Sequence, residues 1–212
     1  MLAAAFAAPA YGTPWRPDTE AAKDYSATRL GEISFAVRTE GHLYGVDVRR
    51  TVPSASVLKA MLLVAYLREP GVRDRALARA DLDLLAPMIR WSDNVAATRV
   101  RDIVGNDGLE RLAHRVGMRA FTPAPIWGLS RIDAADQTLF FLHVDRFAPS
   151  RHRATAMRLL SSIVPSQRWG IAQVRPPGWA LYFKGGWGSG SGAVDTRWRC
   201  CAAGGAACPW RS

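Results

Sequence analysis

The stretch Ser54-Ala-Ser-Val-Leu-Lys-Ala-Met-Leu-Leu-Val-Ala-Tyr-Leu67 decides how the chain is read. It is apolar on nearly every side, which predicts a buried helix rather than one lying on a surface. Lys59 is the only charged side chain within it. A buried ammonium is costly unless paired, and desolvation lowers its pKa, so Lys59 is a candidate base near neutral pH. Ser56 lies three residues earlier on the same helix face. It also stands at the helix start, where free backbone N–H groups and the helix dipole favour a developing oxyanion. A serine and a lysine so placed can make a nucleophile. The competing reading is that Ser56 caps the helix while Lys59 reaches out to water.

Working outward, residues 18–30 read as an amphipathic helix, and residues 33–37 and 42–48 alternate around Glu40-Gly41 as a β-hairpin. Further helices are expected over residues 82–90, 94–104, 108–116, 134–144 and 150–163, with a proline-containing loop at 121–129. Residues 179–183 read as a strand running into Lys184-Gly-Gly-Trp-Gly-Ser-Gly-Ser-Gly192, whose glycines mark a turn or a close backbone approach. Strands at both ends of a helical middle predict an α+β fold whose antiparallel sheet is built from the N- and C-terminal segments.

Two more short motifs accompany Ser56 and Lys59. Ser92-Asp93-Asn94 opens a helix, and Lys184-Gly185-Gly186 closes a strand. S-x-x-K, S-D-N and K-[ST]-G in that order are the signature of the penicillin-recognising serine enzymes. Only Lys23, Lys59 and Lys184 among the 28 basic residues are lysines, and two of the three occupy the two lysine positions of the signature.

On these motifs, residues 22–195 resemble the serine β-lactamase and penicillin-binding protein superfamily, most nearly the class A β-lactamase-like serine hydrolases. The resemblance implies a β-lactamase/transpeptidase-like fold with a reduced helical subdomain at about residues 59–149, because the spacing from Ser56 to Ser92 is short for class A. It implies catalytic roles for Ser56 as the acylated nucleophile, Lys59 as its base and Ser92 as proton donor to the leaving nitrogen. Asn94 would orient the substrate amide and Lys59, and Lys184 would support Ser92 and a substrate carboxylate. Gly185 and Gly186 line the same strand, and the oxyanion hole would be the backbone N–H groups of Ser56 and Trp187. The implied substrate is a β-lactam or a D-alanyl peptide of the cell wall, taken by a monomer that needs no cofactor. Such substrates lie outside the cytoplasm, which implies export.

Two departures bear on the reaction. Class A enzymes carry a glutamate on the loop after S-D-N that activates the deacylating water, whereas Glu110 is the last glutamate of this chain and comes too early. Residues 121–137 offer only Asp133 and Asp136, and Asp133 is better placed to start the next helix. Gly185 stands where K-[ST]-G has a hydroxyl that grips a carboxylate, a loss that Ser189 or Ser191 could offset. Acylation with slow deacylation is therefore expected. A D-alanyl carboxypeptidase-like protein using Lys59 in both half-reactions and a non-catalytic cell-wall peptide binder stand as alternatives.

Composition excludes other classes. With 49% hydrophobic residues in 212, the chain can bury one core and is neither collagen-like, coiled coil nor wholly disordered. No apolar run approaches the length of a spanning helix. The net charge of +10 comes from arginines spread along the whole chain, not gathered into a stripe, so no nucleic-acid partner is expected. His42, His114, His143 and His152 show no metal-ligand spacing, so no metal is expected. Trp127, Trp169, Trp179 and Trp187 are assigned to the cleft or, for most, to the core.

The two ends are unusual. Residues 1–17 read as a leader or an incomplete signal segment, apolar but without a positive n-region. Residues 196–212 read as an aberrant tail that holds all three cysteines, Cys200, Cys201 and Cys208. Moved to the frame in which each codon starts on the third base of the previous one, Trp198, Cys200, Cys208 and Trp210 each become Leu, Met or Val, and Cys201 becomes Leu. The shifted reading is an apolar strand, a glycine-rich turn and a second apolar strand. A one-base deletion just after the Asp195 codon is the corresponding hypothesis, with the last strands of the sheet missing from the chain as written. Resequencing of the gene's 3′ end tests it; an undisputed read in the present frame would rule out a sequencing error.

Overall fold

The computed structural model of the chain describes residues 17–39, 42–168, 179–188 and 194–203. All but the last residue of the expected leader, together with Ser189, Ser191, Trp169 and Cys208, lie outside the described residues.

Helix α1 (Thr19–Ala27) starts where Asp18 accepts a hydrogen bond from Ala21 N at 2.9 Å, and it buries none of its residues. The expected hairpin follows as β1 (Phe35–Thr39) and β2 (His42–Val46), in antiparallel register from Phe35 opposite Val46 to Thr39 opposite His42. Gly45 is required there: its φ is +151°, and a Cβ would stand 2.0 Å from Phe35 O. The two-residue strand β3 (Val52–Pro53) pairs with β4 (Arg131–Ile132) and so brings the loop before β4 against the start of the central helix.

That central helix, α2 (Leu58–Leu67), is buried at every position, Lys59 included, as a sequence apolar on nearly every side predicts. It packs among α3 (Arg79–Arg90), α4 (Asn94–Val116) and α7 (Arg153–Ser161). Leu58, Leu62 and Leu63 of α2, Leu85 and Met88 of α3, Ala97 and Val100 of α4 and Phe140 of α5 (Ala134–Leu142) are all fully buried in one core. Helix α3 begins three residues before its expected start. Asp81 explains this: its carboxylate accepts from Ala78 N at 2.6 Å and from the Tyr66 hydroxyl at 2.6 Å, closing the first turn against α2. The two helices expected on either side of residue 105 are present as halves of α4, broken at Gly105, whose φ of +66° no helix continues. The helix expected over residues 134–144 ends at Leu142, and a one-turn helix α6 (Val144–Phe147) follows.

The C-terminal part differs from expectation in two ways. Strand β5 (Trp179–Gly188) does not stop at Lys184 but runs through Gly185, Gly186 and Trp187. Its partner β6 (Val194–Ala203) pairs with it from Gly188 opposite Val194 to Trp179 opposite Ala203, so the boundary drawn after Asp195 falls inside a strand. Val194, Thr196, Trp198 and Cys200 alternate in sequence with Asp195, Arg197 and Arg199, a period of two that fits a strand. The fold class is α+β as expected, with antiparallel pairing at both ends of the chain. Among the described residues the pairing is three separate two-stranded ladders, and β6 has no strand on its outer edge.

Candidate active site

Ser56 sits in a single 3-10 turn, Ala55–Val57, that leads into α2. The turn is strained, since Ala55 has φ +43°, a left-handed conformation that costs a non-glycine residue about 1–3 kcal/mol. It is held from outside: Ser54 is buried, and its N–H donates to Ser130 O at 2.8 Å. Strand β5 closes on the same turn. A Cβ on Gly186 would stand 2.8 Å from Ser56 N and 2.7 Å from Val57 N, so only glycine lets the strand come this near the serine.

The lysine of the motif is fully buried. Lys59 Nζ donates to the backbone carbonyl of Ser92, to Ser92 Oγ at 3.1 Å and to Asn94 Oδ1 at 2.7 Å, so all three ammonium protons have acceptors. Burial pulls its pKa from 10.5 to about 7, against the opposing charge of Asp93. Ser56 Oγ makes no hydrogen bond among the described residues. The hydrogen-bond partners of Lys59 among the described residues are thus Ser92 and Asn94.

Ser92 is the meeting point. Its φ of +59° turns its carbonyl to Lys59, and its hydroxyl receives Lys59 Nζ and Lys184 Nζ, each at 3.1 Å. Asp93 caps α4 by accepting from Ala96 N at 2.7 Å, which fixes Asn94 as the first residue of the helix. Lys184 is fully buried, donates also to Gly185 O at 2.8 Å, and has its pKa brought down to about 7 by burial and then by the charge on Lys59. The three motifs, far apart in sequence, therefore converge on one hydroxyl. No carboxylate forms an ion pair with either lysine among the described residues.

Asp133 and Asp136 are both engaged elsewhere. Asp133 accepts from Asp136 N at 2.7 Å as the cap of α5, the role its sequence position suggested. Asp136 accepts from Arg119 N at 2.6 Å and Ala120 N at 2.7 Å, and Arg49 bridges the pair at 3.2 and 2.6 Å. Burial raises the pKa of Asp133. Glu110 is an exposed residue of α4. Gly185 is buried, with Trp187 Cζ3 3.4 Å and Phe183 Cε1 3.5 Å from where a Cβ would be, and Trp187 itself is 44% exposed.

Trp127, one of the four tryptophans assigned to the cleft or the core, stands on the remaining side of Lys59. The Trp127 ring lies 4.9 Å from Lys59 Nζ. Its contact with Lys59 in particular has no sequence signal. Ala55 and Ser92 carry no sequence signal for a left-handed backbone either, since the residues that favour it are glycine, asparagine and aspartate.

Among the described residues no group of three His, Cys, Asp or Glu side chains could hold a metal ion, and no helix is long and apolar enough to cross a membrane.

No protein-family profile and no curated protein matches the chain. Solved structures do. A β-lactamase from Chitinophaga pinensis superposes with a TM-score of 0.71 at 11% identity, covering 86% of this chain and 84% of that one. A β-lactamase from Streptosporangium roseum gives 0.70 at 19% identity, over 89% and 85%. An ancestral class A β-lactamase gives 0.70 at 17% identity, over 92% and 86%. With most of each chain superposed and the helical middle placed between N- and C-terminal β-ladders, this protein has the class A β-lactamase-like fold.

Proposed function

We propose that the protein is a serine hydrolase that is acylated at Ser56 by β-lactams or D-alanyl peptide-like amides and releases the acyl group slowly. The observation that carries this reading is Ser92 Oγ 3.1 Å from both Lys59 Nζ and Lys184 Nζ. In the proposed acylation, Ser56 Oγ attacks the carbonyl carbon and its proton passes to neutral Lys59. The backbone N–H groups of Ser56 and Trp187 hold the oxyanion. The C–N bond then breaks, the leaving nitrogen takes the Ser92 hydroxyl proton, and Lys59 returns a proton to Ser92. A lysine with a pKa of about 7 supports this cycle, because both its forms are populated near neutrality. Asn94 orients the substrate amide, and Lys184 with Gly185 and Gly186 forms the strand side of the cleft.

Release requires water to break the Ser56 ester, and water needs a base. Asp133 and Asp136 are committed to the α5 cap and to Arg49, which leaves Lys59 as the remaining candidate. That observation also favours a second reading, a D-alanyl carboxypeptidase-like protein in which Lys59 serves both half-reactions. In either case the substrate lies outside the cytoplasm and the protein is exported.

A chromogenic cephalosporin separates these cases. The proposal expects a burst of about one equivalent per chain followed by slow turnover, and sustained turnover without a burst would refute slow release. Release of D-alanine from a D-alanyl-D-alanine peptide selects the second reading.

A further inference from the structure

Lys59 is gripped from two sides. Ser92 and Asn94 supply its hydrogen-bond acceptors, and Trp127 supplies a ring face 4.9 Å from Nζ. The ring is itself anchored, since Trp127 Nε1–H donates to Thr98 Oγ1 of α4 at 3.1 Å. It belongs to a 3-10 turn, Trp127–Leu129, docked on the turn that carries Ser56: Gly128 lies against Ala55 Cα, and Ser130 O takes the N–H of Ser54 at 2.8 Å. The charged groups facing Lys59 are Asp93 at the start of α4 and Lys184 from β5. The Trp127–Leu129 turn has no charged side chain. An aromatic face attracts an ammonium most strongly when both are out of water, and Lys59 has 0% exposure.

We infer that Trp127 is a positioning residue for Lys59, whose ring seats the ammonium against Ser92 and Asn94 and closes its loop side to water. The inference rests on the role proposed above for Lys59, but it concerns the protonation of that lysine and can be read without any substrate. The ring attracts only the charged form, so it holds the proton on Lys59 to higher pH than burial alone would allow. Leucine in its place keeps that side apolar while removing the π face.

With only Lys23, Lys59 and Lys184 in the chain, lysine titration is directly readable. The full chain is labelled with 13C-lysine, the Cε signals are assigned with Lys23→Arg and Lys184→Met, and pH is scanned in the wild type, Trp127→Leu and Trp127→Phe. The Lys59 midpoint should fall by about 0.5–1 pH unit in Trp127→Leu, and phenylalanine should recover at least about half of that shift. A Lys59 midpoint that is unchanged or higher in folded Trp127→Leu overturns the inference. If Trp127→Leu does not fold, Thr98→Val decides: releasing the indole anchor should lower the same midpoint, and no change overturns the inference equally. A wild type that titrates as expected yet takes no penicillin would refute the proposed function and leave the role of Trp127 standing.

Discussion

Holding two lysines in a dry site should leave a mark on stability that needs no substrate to detect. Lys59 and Lys184 titrate at about 7 in the fold against 10.5 ordinarily. Between those values the unfolded chain holds protons that the folded chain has released, so stability rises with pH through this window. Below about pH 7 both states are protonated and the dependence ends. Within the window each lysine contributes a slope of about 1.4 kcal/mol per pH unit, and the two together roughly 2.7. Lys59→Met removes one contribution and should bring the slope down by about half, with Lys184→Met doing the same. Urea denaturation at pH 7.5, 8.5 and 9.5, with the m-value checked for constancy, measures this directly. Comparison between variants cancels groups common to both, and Tyr66, held up to about 12 by burial and by its bond to Asp81, titrates above the window. Equal slopes in the wild type and both methionine variants would show that neither ammonium is desolvated as described, and the proposed base would lose its physical ground.

Other expectations follow from the same geometry. Gly186→Ala puts a Cβ 2.7–2.8 Å from Val57 N and Ser56 N, so β5 must back away; penicillin labelling should fall at least about 100-fold, with a stability loss of about 1–3 kcal/mol in chemical denaturation. Asp136→Ala frees the Arg119 and Ala120 N–H groups and half of the Arg49 contact, and should destabilise by about 3–5 kcal/mol. Gly185→Ser meets only ring atoms at 3.4–3.5 Å, which is ordinary contact. It should therefore fold, and it should raise the acylation rate for a carboxylate-bearing penicillin more than for the corresponding methyl ester; equal effects on both would refute a carboxylate grip at this position.

The helices and their caps were legible because the residues that make them act locally. Asp93 and Asp133 each cap the helix that follows, and α2, apolar on nearly every side, was read as buried. Motif order pointed to the meeting of Lys59 and Lys184 at Ser92, standing in for long-range contacts that no local pattern encodes. What stayed hidden depends on tertiary context. The left-handed Ala55 and Ser92 are imposed by what packs around them, and Asp81 shifted the start of α3 by bonding to Tyr66 on another helix. Trp127 reaches Lys59 only because β3 and β4 pin its loop to the α2 entrance.

Intact mass after incubation with benzylpenicillin, with Ser56→Ala in parallel, tests the central claim most directly. A persistent adduct of one penicillin per chain, absent from the folded Ser56→Ala protein, is predicted. A folded wild type that takes no adduct, or an equal adduct in Ser56→Ala, would contradict acylation at this serine.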